Sequence, residues 1–332
     1  MFFANIAVSG AENRKFFEWE KNVNPQNAKI GYAFCEFETC GGEGGEIVRA
    51  NTPQELEKAL SLQYPAVIKI SRDILFKKAI RVKGISDKTI ESDCGASLVC
   101  LEKDRGILAI HGGKNIVIRN LKFVGGGSSG NEGEDNLSLS NCKYVWIDHC
   151  EFSDGADGNL DCNKGSDFLS ITFCRFFYQN SGNHSFSNLW GSSNSEIESE
   201  GRLRTTFAFC RWEEGCVERM PRARFGKIHI ANCLYDSKSA KYCIGAHFKS
   251  KILCQNSVFS NIKKPSRTAE DGLLCFENCL FENTTNVKFS DKNFWTADYD
   301  FIPPDVKRTK EIVLDAKYGT GIFGDSKKNA AK

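Results

Sequence analysis

The chain has 332 residues, of which 41% are hydrophobic and 26% are charged, and its formal charge of +2 is close to balance. Its lysines and arginines are spread along the sequence, which excludes the concentrated basic surface of a nucleic-acid-binding protein. No apolar run is long enough to span a bilayer, which argues against a membrane protein. We therefore expect a folded chain with a sizeable core, without a nucleic-acid or membrane partner.

The first predicted element is a short helix that follows an N-terminal extension over residues 1–29. Residues 1–10 are faintly apolar but lack a basic leader and a full hydrophobic stretch, so we do not interpret them as a signal peptide. The helix is predicted to begin at Thr52 as N-cap, with Pro53 at the first helical position and Glu55 in capping-box spacing. It would cover the open end of the structure that follows.

Short strand-like segments then repeat, and each is closed by an aromatic residue. The steps between these aromatics range from 22 to 36 residues, and the residues are Phe123, Phe152, Phe176, Trp212, Tyr235, Phe259 and Phe281. Such a period without intervening helical patterns is typical of a solenoid in which each coil covers the next. We predict an all-β parallel β-helix over residues 30–306, followed by a polar tail over residues 307–332 that packs outside or frays.

Two further columns share this repeat. Five of the fifteen cysteines stand two residues before the aromatic, with Leu121 and Ser257 completing the column: Cys150, Cys174, Cys210, Cys233 and Cys279. Equivalent positions on successive coils lie about 4.8 Å apart, so we predict a buried column of free thiols, since disulfides would strain the ladder. One residue earlier, turns held by stacked amides are predicted at Asn120, Asn232, Asn256 and Asn278.

Three motifs in order carry a resemblance to a known family. They are YVWIDHC at residues 144–150, DGNLD at residues 157–161 and VERMPRARFG at residues 217–226. Together they resemble the signature of pectate lyases, and residues 30–33 and the glycine-rich residues 41–45 are similar to that family's N-terminal end. The resemblance covers residues 30 to 285 and implies a single-stranded right-handed parallel β-helix that cleaves acidic pectic polysaccharide by calcium-dependent β-elimination.

The carboxylates of this pattern suit a calcium site. Removal of a proton beside a charged uronate carboxylate is difficult, and a bridging divalent cation neutralises that carboxylate and stabilises the charge that develops. Ca²⁺ accepts several carboxylate oxygens in flexible geometry. Asp157 and Asp161, four residues apart with a glycine between them, can supply two carboxylates from one coil. The resemblance adds Asp135 as the third metal ligand.

The arginine motif supplies the remaining site residues. The resemblance implies that Arg219 is the base that abstracts the proton and that Arg224 and Arg222 bind substrate. Because a guanidinium is effectively always protonated, a second interpretation stays open, in which the arginines clamp substrate carboxylates. His149 lies on the asparagine phase of the repeat, which favours a hydrogen-bonded core residue over a catalyst.

One departure from the family pattern bears on function. The family carries a substrate-binding lysine shortly before a Leu-x-Gly segment, whereas residues 184–188, which precede Leu189, contain none. Lys164 or Arg202 could replace it from a neighbouring loop. The alternatives are therefore a β-helix protein that binds pectic polysaccharide without turnover, and a polygalacturonase-type hydrolase, although its Gly-His-Gly and Arg-Ile-Lys elements are missing. A lyase for methyl-esterified pectin would dispense with the calcium aspartates. We expect a secreted monomer.

Overall fold

A computed structural model describes residues 28–130, 133–180, 184–289 and 295–323. The predicted extension up to residue 27 and the last residues of the predicted tail lie outside these ranges. Within them the chain winds through three parallel sheets in the repeating order I, II, III, so that each full coil contributes one strand to each sheet. The predicted right-handed parallel β-helix is confirmed.

The strands are short, and every pair is parallel and in register. Sheet I contains Glu46–Arg49, Ala66–Lys69, Ser86–Glu91, Lys114–Arg119, Lys143–Asp148, Asp167–Thr172, Thr205–Ala208, Lys227–Ala231, Lys251–Gln255 and Leu273–Glu277. Sheet II contains Ile74–Leu75, Ser97–Cys100, Lys122–Gly125, Glu151–Ser153, Arg175–Phe177, Arg211–Trp212, Leu234–Tyr235, Val258–Ser260 and Leu280–Glu282. Sheet III contains Ile80–Lys83, Leu108–His111, Leu137–Ser140, Leu160–Asn163, Asn188–Trp190, Arg222–Ala223, Ile244–Ala246 and Ser266–Thr268.

The predicted capping helix, α1, spans Pro53–Leu60 and is confirmed. The Thr52 hydroxyl accepts a hydrogen bond from Glu55 N (3.2 Å), and the Glu55 carboxylate accepts one from Asn51 N (2.8 Å). Glu55 reaches back to the residue before the N-cap, a variant of the capping box, and the two bonds together fix the start of the helix. A second helix, α2, spans Thr309–Val313, and single 3₁₀ turns occur at Tyr32–Phe34, Ile197–Ser199 and Val306–Arg308. None of the described helices is long and apolar enough to cross a membrane.

The predicted aromatic and cysteine columns lie inside the coil. Successive aromatic rings from Phe123 to Phe281 stack with centroid separations of 4.4 to 5.4 Å. Cys150, Cys174, Cys210 and Cys233 are fully buried beside them, and Cys279, in the last described coil, is half-buried. All fifteen cysteines fall within the described residues and are free thiols. The repeat therefore reflects core packing without covalent cross-links.

The asparagine column has a broader cause than amide stacking. All seven residues at this phase have φ between 48° and 55°, and they are Asn120, His149, Phe173, Phe209, Asn232, Asn256 and Asn278. Asparagine tolerates this left-handed conformation better than most residues. Some side chains do bond to a neighbouring coil, since Asn120 Nδ2 donates to Ser92 O at 2.6 Å. The turn from sheet I to sheet II thus requires the conformation, and asparagine is only its commonest occupant.

The C-terminal segment covers these turns from outside. Ile312 and Val313 of α2 are buried in a second apolar cluster that includes Phe173 and Phe209. Gly321 N donates to Phe173 O (2.8 Å), which fastens the segment further along the solenoid. The α2 segment therefore shields aromatic side chains that the left-handed turn points away from the core.

Candidate functional site

The loops that lead from sheet II into sheet III carry the predicted site residues. Asp135 lies just before the strand Leu137–Ser140, Asp157 before the strand Leu160–Asn163, and Arg219 before the strand Arg222–Ala223. The register then places side chains on the outer face of sheet III in one column, and these residues are Arg81, Ala109, Ser138, Asp161, Leu189, Arg222, Gly245 and Arg267. We call these eight positions the outer column.

Asp135 and Asp161 converge from adjacent coils above Gly158. A Cβ atom at position 158 would lie 2.8 Å from Asp161 Oδ1 and 2.9 Å from Asp135 Oδ1, so only glycine leaves this space open. Ser138 Oγ donates to Asp135 Oδ2 (2.6 Å), and Leu189 N donates to Asp161 Oδ1 (3.0 Å). Asp135 Oδ1 is closed off from solvent and has no hydrogen-bond partner. The two carboxylates are held in place and leave acceptor capacity unused.

Both carboxylates are costly to keep charged in this buried site. Burial raises the pKa of Asp135 to about 7, and the charge of Asp157 adds to this, whereas the Ser138 hydrogen bond and the Arg219 charge act against it. Burial, followed by the charge of Asp135, raises the pKa of Asp161 well above its usual range, and Arg219 again opposes the shift. A cation held between the two side chains would relieve the penalty.

Asp157 lies on the same loop as Gly158 and is more exposed than the other two carboxylates. Its side chain is 37% exposed, and its Oδ1 faces His184 Nδ1 at 3.8 Å. Across the part of the chain that the structure describes, no group of three or more His, Cys, Asp or Glu side chains is arranged to hold a metal ion. The unpaired Asp135 oxygen and the open space over Gly158 fit a cation bound by oxygen ligands. Asp135 and Asp161 are thus the pair that fits calcium, while the predicted role of Asp157 stays a prediction.

Arg219 is held over an aromatic ring in an unusual backbone conformation. Its φ is 63°, which is left-handed, and its guanidinium carbon lies 4.1 Å from the ring centroid of Phe186. Arg219 Nε is closed off from solvent and has no hydrogen-bond partner. Arg219 is therefore anchored by its backbone and by Phe186, with part of its donor capacity unused.

Arg222 and Arg224 extend the cationic surface away from Arg219. Arg224 Nε donates to Asn194 Oδ1 (3.0 Å), and its Nη1 donates to Gly191 O (3.0 Å) and Ser192 O (3.2 Å). Arg222 lies in the outer column, one coil beyond Leu189. Burial lowers the pKa of both arginines, and neighbouring arginines add to this effect. Repulsion within the group favours an anionic partner.

A cluster that the sequence did not reveal lies around Gly245, between Arg222 and Arg267. The ring of Tyr242 and the Arg222 side chain fill the space over Gly245, where a Cβ atom would lie 3.1 Å from each. Arg222 Nη2 donates to His247 Nδ1 (3.5 Å), so the neutral imidazole carries its hydrogen on Nε2. Arg222 Nε, His247 Nε2 and Tyr242 Oη are all buried without a partner. Three unpaired donors thus gather beside the arginines.

Other residues from the sequence prediction lie apart from this site. His149 is fully buried, donates a hydrogen bond from Nδ1 to Asp148 Oδ2 (2.8 Å) and stacks on Phe173 at 4.7 Å, so it is a core residue as predicted. Lys164 follows the far end of the strand Leu160–Asn163, and Arg202 packs against the adjacent Gly165. Both therefore lie at the end of that strand, whereas Asp157 precedes its start, and the ring beneath the Arg219 guanidinium is that of Phe186.

The family model described as pectate lyase matches residues 21–310. The chain belongs to the pectate lyase family. A probable pectate lyase B of Aspergillus terreus is 30% identical over 252 residues, which cover 74% of this chain and 72% of that protein. A pectate trisaccharide-lyase of Thermotoga maritima is 34% identical over 203 residues, or 59% of this chain.

This pectate lyase family member spans 53% of the length of the Thermotoga maritima relative. Among solved structures, a pectate lyase of Bacillus sp. N165 in complex with trigalacturonate superposes with a TM-score of 0.69 at 18% identity and covers 89% of this chain and 99% of that one. At this identity the likeness establishes the fold alone. The family motifs and the fold therefore agree. The proposed reaction has to be argued from the geometry of the site.

Proposed function

We propose that this protein is a pectate lyase that cleaves de-esterified polygalacturonate by calcium-dependent β-elimination and releases unsaturated oligogalacturonides. The observation that carries the proposal is the convergence of Asp135 and Asp161 over Gly158, beside the Arg219 guanidinium. Family membership and the trigalacturonate bound to the Bacillus neighbour support an acidic pectic substrate. Because the substrate is a cell-wall polymer, we also propose that the protein acts outside the cell.

The chemistry sets what each residue must do. In β-elimination a proton leaves C5 of a galacturonate, the bond from C4 to the glycosidic oxygen breaks, and a C4–C5 double bond forms while the leaving oxygen takes up a proton. Ca²⁺ held by Asp135 and Asp161 would neutralise the substrate carboxylate and stabilise the charge that develops beside it. Asp157, on the same loop as Gly158, is the third proposed ligand.

Arg219 is proposed as the group that receives the C5 proton, and for this step its guanidinium must first release a proton to solvent in the calcium-loaded, desolvated site. The charge of Arg219 acts on both Asp135 and Asp161, which supports a position near the substrate carboxylate. Arg222 and Arg224 are proposed to bind carboxylates of neighbouring sugars, since guanidinium groups match carboxylate geometry. If Arg219 only clamps a carboxylate, it remains in the same site with a different role.

The test uses purified protein with polygalacturonate and calcium. We expect an ultraviolet-absorbing unsaturated product that disappears when a chelator is added. Saturated products that persist with chelator would instead support the hydrolase, and binding without product at any calcium concentration would support the non-catalytic polysaccharide-binding protein. Arg219→Lys keeps the charge, so a fall in kcat of about 100-fold or more with little change in KM would indicate a base, whereas a small loss would indicate a clamp.

A further inference from the structure

A cationic cavity lies between the capping helix and the first strands of the solenoid, upstream of the proposed site. Its volume is about 800 Å³, within the range of small-molecule sites. Residues from α1, from the turn before the strand Ile80–Lys83 and from two later loops line it. The charged side chains are Lys77, Lys78, Arg81, Arg105, Glu57 and Glu134. Four cations therefore face two carboxylates, and the cavity has a positive excess.

The pairing inside this cavity leaves most of the positive charge unused. Arg81 bonds to the Glu134 carboxylate, which also accepts a hydrogen bond from Gly106 N (2.9 Å). In the part of the chain that the structure describes, Lys77, Lys78 and Arg105 have no ion-pair partner. Leu75, 70% exposed, adds an apolar surface to the lining. Free cations beside an apolar surface suit an acidic sugar, whose ring has apolar faces and whose carboxylate is charged.

The outer column connects this cavity to the proposed site. Arg81 is in register with Ala109, then Ser138, then Asp161, so three strand spacings of about 4.8 Å, roughly 14 Å in all, separate the two ends. Ala109 and Ser138 are small, which leaves a shallow path along sheet III. Glu134, which holds Arg81, directly precedes Asp135. From a ring seated at Asp161, an acidic oligosaccharide must be longer than a trimer to reach across this distance to the cavity.

We propose that the cavity lined by Lys77, Lys78 and Arg105 is a distal binding subsite for uronate residues of a long acidic polysaccharide. This inference rests on the proposed function, because it assumes that the same polymer occupies the region of Asp135 and Asp161. It predicts that the protein discriminates polymer length, since short oligomers bound at Asp161 do not reach the cavity.

The test compares the double variant Lys77→Gln/Lys78→Gln with the control Lys251→Gln/Lys307→Gln, which removes the same charge from exposed lysines of sheet I and the C-terminal segment. We expect KM for polygalacturonate to rise about 5-fold in the cavity variant, as for the loss of surface ion pairs, with kcat unchanged. Rates on trigalacturonate should not change in either variant. Equal effects on polymer and trimer, or no effect on the polymer, would overturn the subsite.

A binding measurement separates this proposal from the lyase activity. Native gels containing polygalacturonate or neutral galactan report retardation without turnover. We expect the wild type and the control variant to be retarded by polygalacturonate and the cavity variant to be retarded less, with no retardation by galactan. This result would support the subsite even in a protein that forms no product, whereas equal retardation of the two variants would overturn it.

Discussion

The contact between Arg219 and Phe186 yields the sharpest test of the proposed site. The guanidinium carbon lies 4.1 Å from the ring centroid, well inside the reach of a cation–π interaction. Such contacts contribute about 0.5–1 kcal/mol when exposed and about 2 kcal/mol when desolvated. Arg219 Nε is closed off from solvent, so the upper part of this range applies. We therefore expect Phe186→Leu to cost about 1–2 kcal/mol of transition-state stabilisation, or roughly 5- to 30-fold in kcat/KM.

A matched control exists on another face of the solenoid. The Arg175 guanidinium carbon lies 4.4 Å from the ring centroid of Phe177 in sheet II, and both phenylalanines are half-buried. Phe177→Leu removes the same kind of contact without touching the site, so it should leave kcat/KM unchanged. Phe186→Tyr keeps an aromatic face and should restore most of the rate.

Initial rates of unsaturated-product formation at saturating calcium measure these effects, and thermal unfolding measures stability. The reasoning fails if Phe186→Leu stays within twofold of the wild type in kcat/KM. It also fails if Phe177→Leu loses as much activity as Phe186→Leu, because the loss would then come from general destabilisation. A rate loss confined to Phe186→Leu, with rescue by tyrosine, assigns Phe186 as the residue that positions Arg219.

Three further changes test other parts of the molecule. Gly158→Ala places a methyl group against the Asp135 and Asp161 oxygens, so the calcium concentration for half-maximal activity should rise about 10-fold or more; an unchanged calcium titration would contradict this cradle. Tyr242→Phe removes a buried hydroxyl without a partner, so stability should hold or rise while KM increases up to about 10-fold; a fall in melting temperature would show that the hydroxyl is already satisfied. Burial lowers the pKa of His229 to about 4, so the contribution of His229 to stability should fall by about 3 kcal/mol as pH drops from 6.5 to 4. His229→Phe should flatten that dependence in urea unfolding at the two pH values, and parallel pH profiles would refute it.

Much of the fold could be predicted because the solenoid repeats its packing. The aromatic and cysteine columns recur in the sequence since each coil presents the same inward positions, and the stacked rings confirm this reasoning. The left-handed turn was harder to foresee. His149, Phe173 and Phe209 adopt the same φ as the asparagines. Residue type does not reveal this conformation at these three positions, because packing by α2 and the C-terminal segment allows larger side chains there.

The site was only partly predictable, because spacing along the chain differs from spacing across coils. Asp157 and Asp161 are close in sequence and are predicted, with Asp135, to bind one cation. Two of these three carboxylates, Asp135 and Asp161 on adjacent coils, meet over Gly158, whereas the role of Asp157 stays a prediction. The Asp-Gly pair did contain Gly158, the residue whose missing side chain leaves room for a cation. That role is visible only once the carboxylates on either side of it are placed. Contacts such as Phe186 beneath Arg219 join two loops from successive coils, and no short motif records them.

The outer column also explains why the proposed reaction would need a cation at its middle. Arg81 stands at one end and Arg222 and Arg267 at the other, so an acidic polymer along sheet III meets positive charge at both ends. At its centre the polymer meets Asp161, whose neighbour Asp135 lies one coil away, and their charges repel a uronate carboxylate. A divalent cation held by Asp135 and Asp161 would offset this repulsion by neutralising the substrate carboxylate. Binding at the ends should therefore survive chelation, whereas engagement of the centre should not.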